Sequence, residues 1–265
     1  MKIGIFDSGL GGLTVVDAIV KTFKGAKIFY VADTQAAPYG EKSNEQILLH
    51  SLEVTKYLTS QYQIDVLIVA CNTATSAAIV DLRSSFPNLI VIGTEPGIKP
   101  AVNFTVSGKV GVLATPATLK GEKYQLLADN LSVSNSITLY EQPCPGLVQK
   151  IEQGEIHSDE TVNMLKNWLE PMKHNCVDTI VLGCTHYPLI SHNIKKIMGE
   201  DIHLVQTGYA IANRLKELIE KNGHIAKEDD IEVYVYFTGE INLEMVDNIL
   251  DKWNKGGKIM IRGNN

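Results

Sequence analysis

Short apolar runs alternate with longer amphipathic stretches along most of the chain. The apolar runs are rich in β-branched residues, which is typical of strands buried on both faces, and they cover residues 3–6, 28–32, 66–70, 89–92, 110–113, 179–182 and 202–205. Strands that alternate with helices form βαβ units. The pattern therefore predicts an α/β fold with mainly parallel sheets and with ligand-binding residues at the carboxyl ends of the strands.

Several of the longer stretches carry apolar side chains at helical spacing. Near the C-terminus, residues 231–238 alternate in the way that predicts a partly exposed strand, and a closing helix follows. The apolar helix faces consist of Leu13, Val16, Ile19, Val20 and Phe23; of Leu48, Leu52, Thr55 and Leu58; of Val162, Leu165, Leu169 and Met172, with Trp168 alongside; and of Leu243, Val246, Leu250 and Trp253.

Two segments of the first part of the chain recur in the same order in the second part. Residues 2–8 resemble residues 109–115, at an offset of 107 positions, and residues 64–73 resemble residues 176–186, in which the shared cysteine is offset by 113 positions. The similar offsets predict two related α/β halves.

The boundary between the halves is expected at residues 94–100, where two prolines and a glycine interrupt both the strand and the helix pattern. The predicted first domain comprises residues 1–93 and 207–265, and the second comprises residues 94–206.

Composition and charge narrow the possible functions. The 265 residues include 24 Lys and Arg against 30 Asp and Glu, and the net charge of −6 disfavours nucleic acid as a partner. A hydrophobic content of 45% excludes disordered and fibrous classes. No apolar stretch approaches the roughly 18 residues of a membrane span, and Asp7 interrupts the first apolar run, unlike a signal peptide. We therefore expect a soluble cytoplasmic protein.

The four cysteines have neither disulfide-framework nor zinc-site spacing. Cys71 and Cys184 each follow a buried strand and precede hydroxyl and amide residues, so each is expected to open a helix. Backbone N–H groups there stabilise a thiolate and lower a cysteine pKa from about 8.5 toward neutrality. Cys144 and Cys176 are predicted to be packing residues.

His186 follows Cys184 by two residues and could act on the thiol or on a substrate, or simply cap a loop. No Arg or Lys follows either cysteine within the loop, which disfavours phosphoryl transfer. The glycine-rich residues 7–14 allow a dinucleotide site with Asp33 on the ribose. A turn that offers backbone N–H groups to a small anion fits better, because Thr14 occupies the third glycine position.

Two cysteines from two halves favour one mechanism in particular. If the halves face each other across a cleft, one thiol approaches the ligand from each side. One removes a proton from carbon as a thiolate and the other returns a proton as a thiol. Because a thiol holds a single transferable proton, net inversion of configuration follows. The carbanion-like intermediate needs hydrogen-bond donors, which Asn72, threonine hydroxyls and backbone N–H groups could supply.

These motifs resemble those of the glutamate racemases, in the aspartate/glutamate racemase superfamily. The similar segments are Asp-Ser-Gly-x-Gly-Gly at residues 7–12, Ala-Pro-Tyr-Gly at 37–40, Cys-Asn-Thr-Ala at 71–74, Glu-Pro-x-x-Lys-Pro at 95–100 and Gly-Cys-Thr-His-Tyr-Pro at 183–188. The resemblance implies cofactor-independent interconversion of L- and D-glutamate, which supplies D-glutamate for peptidoglycan and hence for cell-wall biogenesis and cell shape. It also implies two pseudo-symmetric α/β domains with the active site between them, and commonly a homodimer.

The resemblance also implies roles for individual residues, and none of these roles is that of a metal ligand. Cys71 and Cys184 become the two acid/base residues. Asp7 is paired with Cys71, whereas Glu152 and His186 assist Cys184. The implied substrate-binding residues are Asp7, Ser8, Tyr39, Gly40, Asn72, Thr73, Thr115, Thr118, Thr185 and His186.

Three features depart from the family pattern. Val-Gln-Lys at residues 148–150 stands where a more apolar run with a proline is expected, and Gln206 replaces an acid. No extension precedes Lys2, so activation by a cell-wall precursor is not expected. The nearest alternative is aspartate racemase, whose substrate is one methylene shorter. A thiol-based redox sensor and a nucleotide-dependent oxidoreductase are alternatives from other classes.

Overall fold

The computed structural model describes residues 1–22, 25–221, 231–250 and 257–263. The chain forms two compact units, one of Met1–Thr94 with Gly208–Asn265 and one of Glu95–Thr207. Each unit is built on a parallel sheet that is combined with helices, which confirms the predicted α/β fold.

The first unit contains a six-stranded parallel sheet in the order β10-β9-β2-β1-β3-β4. Its strands are β1 (Lys2–Asp7), β2 (Lys27–Ala32), β3 (Val66–Val69), β4 (Ile90–Gly93), β9 (Ile231–Phe237) and β10 (Gly257–Gly263). Its helices are α1 (Leu13–Thr22), α2 (Asn44–Tyr62), α3 (Asn72–Ser85), α10 (Gly208–Lys221) and α11 (Leu243–Leu250), with short 3-10 turns at Thr34–Ala36 and Tyr39–Glu41.

The second unit contains a four-stranded parallel sheet in the order β6-β5-β7-β8. Its strands are β5 (Lys109–Ala114), β6 (Thr138–Pro143), β7 (Thr179–Gly183) and β8 (His203–Val205). Its helices are α4 (Ile98–Phe104), α5 (Pro116–Lys120), α6 (Glu122–Asn135), α7 (Leu147–Glu152), α8 (Asp159–His174) and α9 (Ser191–Met198), with a 3-10 turn at Tyr187–Ile190.

The repeat seen in the sequence recurs in the strand register. The core strand order β2-β1-β3-β4 of the first unit has the same form as β6-β5-β7-β8 of the second. Ile3 pairs with Val66 in the first sheet, and Val110 pairs with Thr179 in the second. These two pairs are related by the sequence offsets of 107 and 113 positions, so the two sheets share one register.

Burial explains which strands the apolar pattern predicts and which it does not. Residues of β3 and β7 are all buried, and both strands were expected. The edge strand β6 was not predicted, because Thr138–Pro143 is half-exposed and contains no continuous apolar run. The run at residues 202–205 forms the edge strand β8 with His203 exposed, so its predicted burial on both faces was wrong.

Two predicted helix residues, Phe23 and Trp253, lie outside the described residues. The expectation that Cys176 is a packing residue was wrong, because its side chain is exposed. Cys176 lies just beyond the C-terminal end of α8, where the chain turns toward β7 with a positive φ of 57°.

Candidate active site

Cys71 lies where the central strand β3 of the first unit passes into helix α3. It is the N-cap residue of α3, and its Sγ accepts a hydrogen bond of 3.4 Å from the backbone N–H of Ala74. The side chain is 6% exposed. The prediction that Cys71 opens a helix is confirmed, and N–H donors at this position stabilise a thiolate.

The loop after β1 brings Asp7 and Ser8 to the same edge of the sheet. Ser8 Oγ lies 3.9 Å from Cys71 Sγ. Asp7 is fully buried, and its Oδ1 accepts a hydrogen bond of 3.0 Å from the N–H of Gly9. The buried Tyr30 hydroxyl donates to the carbonyl oxygen of Gly9. Tyr30 thus fixes the loop that carries Asp7, a contact that the sequence motif gives no sign of.

Gly12 allows this loop to pack closely, and we expect Gly12→Ala to lower the free energy of unfolding by about 1–3 kcal/mol. A Cβ atom at Gly12 would lie 2.6 Å from Asp7 Cβ and 2.7 Å from the Tyr30 hydroxyl oxygen. Both atoms belong to fully buried side chains, so the added methyl group must displace closely packed atoms. Urea unfolding of the two proteins measures the difference, and equal midpoints with equal slopes would show that the loop accommodates the methyl group.

Asn72 stands out because its side chain is 4% exposed and has unsatisfied polar atoms. Neither its Oδ1 nor its Nδ2 atom has a hydrogen-bond partner among the described residues. Buried polar groups are nearly always hydrogen-bonded, so such an amide at a sheet edge is suited to a ligand. The neighbouring Thr73 is also buried, at 4% exposure.

Tyr39 and Gly40 belong to the 3-10 turn Tyr39–Glu41, which packs against α3. The Tyr39 hydroxyl donates a hydrogen bond of 2.6 Å to the Asp33 carboxylate. Burial and the negative charge of Asp33 raise the pKa of Tyr39 well above its ordinary value, with smaller contributions from Cys71 and Asp7. Tyr39 therefore remains protonated and donates its hydroxyl hydrogen bond to Asp33.

In the second unit, Cys184 follows β7 and forms a chain of contacts with His186 and Glu152. Cys184 Sγ lies 3.6 Å from Nδ1 of His186, and Nε2 of His186 lies 2.5 Å from Oε1 of Glu152. Glu152 is the last residue of α7. Lys150, on the same helix, forms ion pairs with Glu155 at 2.7 Å and with Glu160 at 2.6 Å, which tie α7 to the start of α8.

The expectation that Cys184 opens an α-helix was wrong. The chain after Cys184 makes a turn and then the 3-10 helix Tyr187–Ile190, and α9 begins only at Ser191. Pro188 lies in the first turn of that 3-10 helix, where its missing backbone N–H would have no partner within the helix. The Cys184 thiol contacts the His186 side chain, whereas the Cys71 thiol accepts a hydrogen bond from a backbone N–H group.

His186 is charged more readily than an ordinary histidine. Burial lowers its pKa, but hydrogen bonds and negative charge from Cys184 and Glu152 raise it well above the usual value of 6.5. The pKa of His186 is higher in the folded than in the unfolded protein. While Glu152 is ionised, the His186–Glu152 ion pair therefore stabilises the fold fully below about pH 6.5. This contribution is lost as the pH rises through the folded pKa of His186.

We expect Glu152→Gln to lower the pKa of His186, because burial then opposes the charged imidazole without a carboxylate to balance it. An NMR titration of ¹⁵N-labelled protein should show the imidazolium of the parent protein persisting to higher pH than that of the variant. The loss of unfolding free energy in the variant should be larger at pH 6 than at pH 9. Identical imidazole titrations would show that Glu152 does not set the charge of His186.

Further hydroxyl groups lie at the carboxyl edge of the second sheet. Thr115 caps α5, accepts a hydrogen bond of 3.2 Å from the Thr118 N–H and donates one of 2.9 Å to the Thr118 hydroxyl. Thr185 Oγ1 lies 3.4 Å from Nδ1 of His186. All three threonines are buried.

Cys144 follows β6 and is 2% exposed, as expected for a packing residue. Burial raises the pKa of Cys144 well above its ordinary value, so it remains a thiol. Within the described ranges, no group of His, Cys, Asp and Glu residues is arranged to hold a metal ion. Among the helices of the same ranges, none has the length and apolar character needed to cross a membrane.

The predicted site residues thus form two groups, one in each unit, at the carboxyl ends of parallel strands. The first group contains Asp7, Ser8, Tyr39, Gly40, Cys71, Asn72 and Thr73, and the second contains Thr115, Thr118, Glu152, Cys184, Thr185 and His186. Each group holds one buried thiol at an equivalent position after the third strand of the repeat. Such a thiol can take a proton from carbon or return one to it.

Comparisons with known proteins agree with this geometry. The chain is 60% identical to the glutamate racemase of Aliarcobacter butzleri (strain RM4018) over 254 residues, which cover 96% of this chain and 97% of the relative. It is 56% identical to the glutamate racemase of Sulfurovum sp. (strain NBC37-1) over 253 residues, which cover 96% and 95%.

Solved structures show the same fold. A glutamate racemase isoform of Bacillus anthracis matches with a TM-score of 0.83 and 29% identity, over 98% of this chain and 96% of that one. The Francisella tularensis glutamate racemase in complex with D-glutamate matches with a TM-score of 0.79 and 28% identity, over 100% and 97%. The aspartate racemase of Picrophilus torridus, with a TM-score of 0.51 and 19% identity over 86% and 96%, shares the fold alone.

Residues 3–215 also match the Asp/Glu/Hydantoin racemase family, and the resemblance to the glutamate racemases drawn from the motifs is confirmed. The chain therefore belongs to the Asp/Glu/Hydantoin racemase family, and it is an isomerase.

Proposed function

We propose that this chain is a cofactor-independent glutamate racemase that moves the Cα proton with two thiols. The observation that carries the proposal is the pair Cys71 and Cys184, which occupy equivalent positions after strands of matching register in two related units. The names of the relatives support glutamate as the substrate.

The reaction begins with one cysteine as a thiolate and the other as a thiol. The thiolate takes the proton from Cα, and the electron pair of the broken C–H bond is left on a carbanion-like centre next to the carboxylate. The second thiol then donates its proton to the opposite face of Cα and becomes the thiolate. The reverse reaction exchanges the two roles, so neither a redox step nor a cofactor is needed.

The residues around each thiol control its proton. Asp7, Ser8 and the N–H groups at the start of α3 assist proton transfer at Cys71. Glu152 and His186 assist proton transfer at Cys184. When Cys184 acts as the base, an adjacent imidazolium stabilises its thiolate form. When Cys184 acts as the acid, the imidazolium can replace the proton that the thiol gives up.

Apart from Asp7 and His186, the proposed substrate-binding set consists of neutral groups, because it contains no Lys or Arg. The unsatisfied amide of Asn72 is the clearest candidate for a contact with a substrate carboxylate. Hydrogen-bond donors to an anion in a buried site are stronger than the same donors in water, so several of them replace one cation. The remaining members of the set are Asp7, Ser8, Tyr39, Gly40, Thr73, Thr115, Thr118, Thr185 and His186.

We further propose that the product D-glutamate is used for peptidoglycan synthesis and that the enzyme acts in the cytoplasm as a homodimer. The net charge of −6 supports a small-molecule substrate rather than a nucleic-acid partner.

Incubation of the purified protein with L-glutamate in the absence of any added cofactor tests the function. We expect chiral chromatography to show D-glutamate rising to an equal mixture, with a much lower rate on L-aspartate. Faster turnover of aspartate would identify an aspartate racemase. A lack of turnover with either substrate across pH 6–10, together with reversible thiol oxidation, would favour a redox sensor instead.

A further inference from the structure

Asp33 directly follows β2, and its backbone and side chain contact residues at the ends of β1 and β9 in the sheet that carries Cys71. The Asp33 backbone N–H donates a hydrogen bond of 2.9 Å to the carbonyl oxygen of Asp7, the last residue of β1. Its side chain is 6% exposed. Oδ2 accepts a hydrogen bond of 2.6 Å from the Tyr39 hydroxyl, and Oδ1 accepts one of 2.8 Å from the Thr238 hydroxyl.

Tyr39 links this network to the surroundings of Cys71. It is fully buried in the same apolar cluster as Cys71. Its only hydroxyl proton is directed to Asp33, so the tyrosine ring and the turn that begins with it are held at one end by this carboxylate.

Thr238 brings β9 into the same network. It directly follows β9, and its N–H donates a hydrogen bond of 3.1 Å to the carbonyl oxygen of Ala32, the last residue of β2. Thr238 Oγ1 also accepts a hydrogen bond of 3.0 Å from the Gln35 N–H. Strand β9 has no counterpart in the four-stranded sheet of the second unit, so this support for Tyr39 is specific to the first unit.

We propose that Asp33 is a positioning residue that sets the location of Tyr39, and through it the binding of substrate in the first unit. The inference rests on the proposed function, in which Tyr39 belongs to the substrate-binding set. Asp33 has no part in the proton transfer. Its loss should therefore weaken glutamate binding and leave the chemical step largely intact.

A double-mutant cycle on Asp33 and Tyr39 tests this role. We expect Asp33→Ala and Tyr39→Phe each to raise KM for glutamate by about tenfold or more, as for the loss of a hydrogen bond to a charged group. The change in kcat should stay within about threefold. The double variant should be no worse than the more impaired single variant, because both substitutions remove the same contact. Asp33→Asn, which keeps an acceptor oxygen, should restore part of the loss.

The chain offers a matched control in its other unit. The Tyr124 hydroxyl donates a hydrogen bond of the same length, 2.6 Å, to Oε1 of Glu141, and Tyr124 is also buried. A cycle on Tyr124→Phe and Glu141→Ala should change the unfolding temperature without a change in KM.

The outcomes separate the two proposals. No racemisation by the parent protein would overturn the proposed function itself. An active parent protein with unchanged KM in the folded Asp33 variants would overturn the positioning role, and so would additive losses in the cycle. If Asp33→Ala does not fold, the cycle is run with Asp33→Leu, which removes both acceptor oxygens and keeps the side-chain volume, and the same outcomes decide.

Discussion

Replacement of Cys71 by serine is expected to lower kcat/KM for racemisation by a factor on the order of 10²–10⁴ or more. A serine hydroxyl keeps the size and the hydrogen bonds of the thiol, but it is too weak an acid to exist as an anion at neutral pH. The loss should be equal for L- and D-glutamate, because mirror-image products fix the equilibrium constant at one. Chiral assays from both enantiomers measure it.

Cys176→Ser is the control for the loss of a thiol. Cys176 is exposed in a turn of the second unit and lies outside the proposed set, so its replacement should leave both rates unchanged. Near-normal turnover by a folded Cys71→Ser variant would show that Cys71 is not an acid/base residue.

Cys184→Ser is expected to cause a loss of the same order. The surroundings of the two thiols differ, because Cys184 contacts His186 where Cys71 accepts a backbone N–H. Cys184→Ser should therefore also change the titration of His186, since Cys184 contributes to the raised pKa of that imidazole. Kinetics and the NMR titration of one variant give two separate measurements of this role.

Cys144→Ser is the control for a buried thiol in the same unit. The pKa of Cys144 is raised by burial, so it holds its proton and should contribute less than about tenfold to the rate. A loss in Cys144→Ser as large as that in Cys184→Ser would mean that thiols in this unit matter through packing rather than proton transfer.

The fold was predictable as far as local pattern determines it. Buried central strands such as β3 and β7 follow from β-branched runs. The repeat predicted two related α/β halves, and in the structure their sheets share one register. The edge strand β6 was missed, because half of its side chains face solvent and its apolar signal is weak. The turn after Cys184 was also missed, because both cysteines follow buried strands, yet an α-helix begins directly after Cys71 and a 3-10 helix begins three residues after Cys184.

The candidate site was predictable where its residues are adjacent in sequence, as for Cys71 and Asn72. Contacts between distant residues leave no such signal. The Glu152–His186 contact joins residues 34 positions apart, and the Asp33–Thr238 contact joins residues 205 positions apart. The motif resemblance implied that Glu152 and His186 both assist Cys184 but not that they contact each other. Nothing in the sequence pointed to the contact between Asp33 and Thr238, because a threonine at the end of an alternating strand is common.

The fate of the Cα proton in deuterium oxide tests the two-thiol account most directly. During the first few per cent of conversion of protiated L-glutamate, the two-thiol account predicts that D-glutamate carries deuterium at Cα while the remaining L-glutamate keeps its hydrogen. The reason is that the group that delivers the new proton has equilibrated with solvent, whereas the group that removes the old one does not return it. Product that retains the original hydrogen, or equal deuterium in substrate and product, would require a single base and would contradict the account.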